Sequence, residues 1–139
     1  MTTKHWYNGS CHCGTVRFRV HLDTHFGTSK CNCTFCWKQR NWNVCGLKPE
    51  DFELLAGADL MSTYARKTET FELSHRFCAK CGTHTHGDGY LEEMGGAMVS
   101  VRVAALDDLN IEDLVSAPIY YCDGRRDNWW NPPEEIRHL

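Results

Sequence analysis

No stretch of this sequence reaches the ~20 consecutive apolar residues that a membrane-spanning helix needs. The polar start, Met1-Thr2-Thr3-Lys4-His5, lacks the apolar core of a secretory signal. There is no run of Lys or Arg to track a phosphate backbone, and the net charge of −3 argues against nucleic acid as a partner. No internal repeat or low-complexity tract divides the chain. Its 139 residues suffice for one hydrophobic core and are few for two. The expectation is a single domain over 1–139, soluble, cytoplasmic and not bound to a membrane.

Against these absences stand nine cysteines. An odd number without a secretion signal points to a reducing compartment and to thiolates on metal rather than to disulfides. Seven of the nine fall in three clusters: Cys11-His12-Cys13-Gly14, Cys31-Asn32-Cys33-Thr34-Phe35-Cys36 and Cys78-Ala79-Lys80-Cys81-Gly82. A structural zinc takes four ligands at tetrahedral corners, and a reactive zinc keeps one corner for water or substrate. Seven therefore divides into four and three. Cys11, Cys13, Cys78 and Cys81, each pair followed by a turn glycine, suit a closed site. Cys31, Cys33 and Cys36 are left as a three-thiolate site with an open corner.

The rest of the chain reads as mainly β. Thr15 to Leu22 alternates strictly, which turns Val16, Phe18, Val20 and Leu22 inward. His25 to Lys30 reads as a loop, Thr34 to Gln39 as a short helical turn at the mouth of the middle cluster, and Asn43 to Leu47 as a strand. Phe52 to Gly57 and Met61 to Ala65 suggest two strands of a meander, Thr68 to Phe77 another strand, and Ala97 to Val103 the most convincing buried one. Ala105 to Leu114 is acidic and turn-rich, and Ile119 to Cys122 extended. Cys45 suits a small buried hydrophobe, with closure of the second site as its rival role. His84 and His86, two apart on an extended segment, are expected to point the same way, where they can approach the open corner, act as acid or base, or simply hydrogen-bond. Trp37, Arg40 and Trp42 crowd the middle cluster, either as core and solvated charge or around a ligand. Trp129 and Trp130 are expected to pack over the domain or to wall a pocket.

The order of motifs resembles the glutathione-dependent formaldehyde-activating enzyme family, which includes centromere protein V. The residues that carry the resemblance are Gly9-Ser10-Cys11-His12-Cys13-Gly14, Cys31-Asn32-Cys33-Thr34-Phe35-Cys36, Phe77-Cys78-Ala79-Lys80-Cys81-Gly82, Phe52 to Gly57 with Tyr64, Met98 to Val103 and Asp123-Gly124-Arg125. It implies a mainly β, Mss-four-like fold of small antiparallel sheets around two zinc sites. Cys11, Cys13, Cys78 and Cys81 would hold a structural zinc, and Cys31, Cys33 and Cys36 the catalytic one. The implied activity joins formaldehyde to glutathione as S-hydroxymethylglutathione, a carbon–sulfur lyase reaction written backwards.

Three thiolates on a dication leave one net negative charge, so such a zinc is a weak Lewis acid that favours sulfur nucleophilicity. It would keep a fourth, substrate thiol ionised at neutral pH, where a free thiol of pKa near ~8.5 is mostly protonated. The proton needed by the resulting alkoxide could come from His84, His86 or water. Arg40, Arg125, Arg126 and Lys38 are the candidate partners of glutathione's carboxylates, with Trp42 beside them. Two rivals to catalysis stand: a zinc-held glutathione carrier, and a structural zinc module for protein interaction.

Overall fold

The computed structural model describes residues 4–139; Met1-Thr2-Thr3 lies outside the described residues. Its strands are β1 (His5–Ser10), β2 (Arg17–Leu22), β3 (Thr28–Cys31), β4 (Asn43–Leu47), β5 (Phe52–Ala56), β6 (Met61–Lys67), β7 (Glu72–Cys78), β8 (His84–Leu91), β9 (Gly96–Arg102) and β10 (Ile119–Cys122). Two six-residue helices accompany them, α1 (Thr34–Gln39) and α2 (Ile111–Ser116). The strands form a three-stranded antiparallel sheet, β1-β2-β5, and a seven-stranded sheet in the order β10-β3-β4-β9-β8-β7-β6. In the larger sheet β10 runs parallel to β3, and the other neighbours are antiparallel. The protein is mainly β, as the alternating segments predict.

The core lies where the two sheets face each other. Phe18, Val20 and Leu22 of β2 meet Val99 and Val101 of β9 and Ala105, all buried, with Phe52, Leu54 and Val44 packed around them. Each large apolar side chain removed from water contributes roughly 1.5–3 kcal/mol. Burial between layers therefore outweighs local propensity in strands this short. A second, smaller cluster joins Cys11, Val16 and Cys78 to Leu54 and Met61. It sits at the end of the sandwich where the first and third cysteine pairs meet.

Several segments depart from the sequence reading. β5 and β6 do not form a meander: β5 pairs with β2 in the small sheet and β6 with β7 in the large one. The positive φ of Gly57 (88°) and a 3₁₀ turn at Ala58–Leu60 send the chain from one sheet to the other. The presumed loop before the middle cluster contains a 3₁₀ turn, Thr24–Phe26, and the strand β3. The acidic stretch after Ala105 ends in α2, capped by Asn110, whose side chain accepts from the N–H groups of Glu112 and Asp113. Trp129 packs against Gly124 and donates its indole N–H to Asp127 (2.6 Å), whereas Trp130 is 78% exposed rather than packed over the domain.

Candidate metal centres

The closed cluster is built from two turns, one from each sheet. Cys11 and Cys13 lie in the β1–β2 connection, and Cys78 and Cys81 in the β7–β8 connection. Gly14 (φ 80°) and Gly82 (φ 79°) both occupy the left-handed region that closes such a turn. The four sulfurs lie within 4.8 Å of one another. Cys13 Sγ is 3.6 Å from Cys11 Sγ and 3.7 Å from Cys78 Sγ. A tetrahedron with Zn–S bonds of about 2.3 Å has edges of ~3.8 Å, so the spacing fits a four-thiolate zinc. Backbone N–H groups of Val16 and Cys81 donate to Cys11 Sγ (3.3 Å) and Cys78 Sγ (3.4 Å), as ionised sulfur requires. The Thr15 and Thr83 hydroxyls lie beside the other two sulfurs and draw the Cys13 and Cys81 thiols below their ordinary range.

The open cluster belongs to the large sheet alone. Cys31 ends β3, Cys33 caps α1, and Cys36 lies within that helix. Their sulfurs also lie within 4.8 Å of one another. The Cys33 N–H donates to Cys31 Sγ (3.3 Å), the Cys36 N–H to Cys33 Sγ (3.4 Å) and Asn41 Nδ2 to Cys36 Sγ (3.4 Å). Without a cation these sulfurs compete for negative charge. Hydrogen bonds from Cys31 and Cys36 hold Cys33 far below the usual thiol range, while the same contacts push Cys31 and Cys36 up. A divalent ion would remove that conflict, and the donor set fits a soft one such as zinc. Among the described residues no fourth cysteine completes the set. Cys45 is exposed rather than buried, its sulfur 3.2 Å from the Ser29 hydroxyl and outside the cluster. Cys122 pairs with Cys31 across β10 and β3, and burial raises its thiol.

Asn32, between the first two ligands, anchors the turn. Its amide donates to Asp123 (2.8 Å) and accepts from the Arg125 N–H (3.0 Å), and its carbonyl accepts from Arg125 Nε (3.1 Å). Arg125, expected at a glutathione carboxylate, thus supports the ligand loop. Trp42 is likewise engaged in the scaffold, donating to Thr28 Oγ1 (2.7 Å) with Lys30 stacked on its ring. Arg40 stays at the site. It lies over Trp37 and donates to the His138 carbonyl (2.6 Å). With Lys30, Trp37, Asn41 and Leu139 it lines a cavity of ≈ 40 Å³ that reaches Cys31 and Cys36.

The two candidate histidines do not share a face. Phe77 pairs with His84 but Arg76 with His86, so one residue, Thr85, bulges out of β8 and reverses the alternation. His86 turns into the core, 4.4 Å from the Phe52 ring and 6.0 Å from that of Phe18, and burial holds its imidazole down to about 4. His84 stacks on Phe77 on the opposite face. There it is joined by His75, which the sequence reading missed. His75 stacks on Phe35, between Cys33 and Cys36, with centroids 4.1 Å apart. Burial first, then the fields of Arg66 and Arg102, lower His75 to about 4; burial and Arg102 lower His84. Both imidazoles are neutral near pH 7. Its place on the strand that leads into Cys78, in register with Tyr64, was the available signal.

Residues 6–123 match the family model described as glutathione-dependent formaldehyde-activating enzyme. A Halomonas elongata protein provisionally named a glutathione-dependent formaldehyde-activating enzyme is 32% identical over 82 residues, covering 54% of this chain and 51% of the relative. The chain thus spans about half the length of that curated relative. A crystal structure of a Rhodobacter sphaeroides protein superposes with a TM-score of 0.64 at 29% identity, covering 81% of this chain and 98% of the other.

Proposed function

The chain belongs to the glutathione-dependent formaldehyde-activating enzyme family, and from that premise we propose that it is a two-zinc enzyme forming or cleaving the carbon–sulfur bond of a glutathione–aldehyde adduct. Residues 1–139 act as one zinc-binding domain. Cys11, Cys13, Cys78 and Cys81 hold the structural ion; Cys31, Cys33 and Cys36 hold the reactive one. The observation that carries the reading is the difference between the clusters: four sulfurs close the first, whereas the second has three, two of which, Cys31 and Cys36, line a cavity beside Lys30 and Arg40. The thiolates call for a reducing compartment, and we propose the cytoplasm.

A zinc ion at the three-cysteine cluster would supply the positive charge that keeps an incoming thiol ionised at neutral pH. The protein's own groups do the rest. N–H donors from Cys33, Cys36 and Asn41 spread the charge of the ligand sulfurs. Lys30 and Arg40 face the cavity and attract the carboxylates of the thiol substrate. Phe35, clamped on His75, fixes the ligand turn so that the cavity keeps its shape. In the addition, a sulfur–carbon bond forms, the aldehyde π electrons move to oxygen, and that oxygen takes a proton. In the cleavage direction the hydroxyl gives its proton up. Neutral His84 or water is the carrier; His86, in the core, is not.

The test uses protein with cobalt in place of zinc. Adding glutathione should intensify the thiolate charge-transfer band, S-methylglutathione should not, and the same protein should accelerate the approach of glutathione and formaldehyde to equilibrium. A spectrum indifferent to glutathione would overturn the reading. Thiol binding without acceleration would make the protein a carrier.

A further inference from the structure

Asn41 follows Arg40, whose left-handed backbone (φ 53°) ends α1 and turns the chain back over it. The Asn41 N–H donates to the Cys36 carbonyl (3.0 Å) and its side-chain Nδ2 to Cys36 Sγ (3.4 Å). Chemistry fixes the amide's orientation, because the opposite one would set a carbonyl oxygen against an electron-rich sulfur. The residue is only 8% exposed, and its Oδ1 has no hydrogen-bond partner. A buried acceptor without a donor is costly and rare in native proteins. Among the described residues two other buried side-chain atoms share this state, His75 Nε2 and His84 Nδ1, but Asn41 alone of the three lines the cavity that reaches Cys31 and Cys36.

We infer that Asn41 Oδ1 accepts the hydroxyl hydrogen of a hemithioacetal and so selects an S–CH₂–OH adduct over other S-alkyl groups. This rests on the function proposed above and adds the residue that recognises the adduct. A hemithioacetal carries its hydroxyl two bonds from sulfur, so an adduct seated beside Cys36 brings the hydroxyl close to the amide that already contacts this ligand. The cavity's size agrees. At roughly 10–15 Å³ per water it holds about three waters, enough for a hydroxymethyl group and far too little for a tripeptide. An amide oxygen accepts but cannot donate, so Asn41 stabilises the neutral adduct and is no general base.

The experiment titrates the zinc-loaded full chain by calorimetry, with formaldehyde present throughout, against glutathione pre-equilibrated with that formaldehyde and against S-methylglutathione. The wild type should prefer the hydroxyl-bearing ligand by about 5- to 10-fold, the size of one hydrogen bond. In Asn41→Leu the preference should fall to within about twofold. Mere damage to the site would weaken both ligands alike and leave the ratio intact. Asn41→Asp keeps an acceptor oxygen and should keep the preference, even where loss of the N–H donor loosens the metal. Equal affinities in the wild type, or an undiminished preference in Asn41→Leu, would overturn the inference while leaving thiol binding in place. If the wild type binds neither these ligands nor free glutathione, the inference and the reading beneath it fall together.

Discussion

A β-carbon placed on Gly124 would stand 2.6 Å from the sulfur of Cys31 and 2.5 Å from the ring of Trp129. Backbone and metal ligand approach this closely because Asp123 and Arg125, on either side of the glycine, are both bonded to Asn32 in the ligand loop. Gly124→Ala should therefore displace Cys31 and release the open-site metal at a chelator concentration at which the wild type retains it, with a stability cost of about 1–3 kcal/mol from overpacking. Metal content after dialysis, with a urea melt alongside, checks both; a variant that holds two ions as tightly as the wild type contradicts it.

The closed cluster fastens the small sheet to the large one, so its loss should be global. Structural zinc binding is worth roughly 10–16 kcal/mol, as large as the whole stability of most domains. Cys78→Ser should leave a chain with no cooperative thermal transition at 25 °C and above. Cys36→Ser, in a cluster confined to one sheet and one short helix, should melt cooperatively while binding no thiol. Calorimetric scans of the two variants make the comparison, and an unchanged transition in Cys78→Ser would refute the stapling role.

Legibility followed the range of the signals. The cysteine clusters and the alternation from Val16 to Leu22 lie within a few residues, and each appears in the fold where the spacing puts it. What could not be read depends on partners far away in the chain. The role of Asp123-Gly124-Arg125 rests on Asn32, 91 to 93 residues earlier, and on Cys31. The bulge at Thr85 leaves no local mark, yet it sends His84 and His86 to opposite faces. His75 looks like one more residue of an alternating strand until Phe35 is laid upon it. Trp42 and Arg125 had the right chemistry for a ligand, and nothing nearby in the sequence marks their bonds to Thr28 and Asn32.

His86 should add a pH dependence of stability of its own, beside that of the cysteine clusters. Burial between Phe52 and Phe18 lowers its folded pKa to about 4, against the partly compensating field of Asp88, while in the unfolded chain it titrates near ~6.5. Between these values the unfolded state binds the extra proton. Folding stability due to this group is therefore intact above about pH 6.5 and lost progressively as the pH falls toward 4. His86→Phe, which keeps an aromatic ring in the core, should have a shallower fall in urea midpoint between pH 7 and pH 5 than the wild type. Parallel slopes would show that acid sensitivity comes wholly from protonation of the thiolates.

The two metals should differ in lability, with the tail setting part of the difference. Four sulfurs leave a chelator no vacant corner at the closed site, whereas the three-cysteine site opens on a cavity. The tail borders that cavity: Leu139 lines it, Arg40 donates to the His138 carbonyl and Trp37 meets the His138 ring edge-on at 4.8 Å. These are few and partly exposed contacts, of the kind that open locally at low cost. Competition with a chromogenic chelator should accordingly release one zinc per chain in a fast phase and the second only on unfolding. Removing residues 134–139 should speed the fast phase several-fold without changing its amplitude. Cys31→Ser should abolish that phase and leave one tightly held ion. Release of both ions in a single phase from the wild type would mean that the two cysteine clusters are alike in their protection, and the division into a closed and an open site would have to be abandoned.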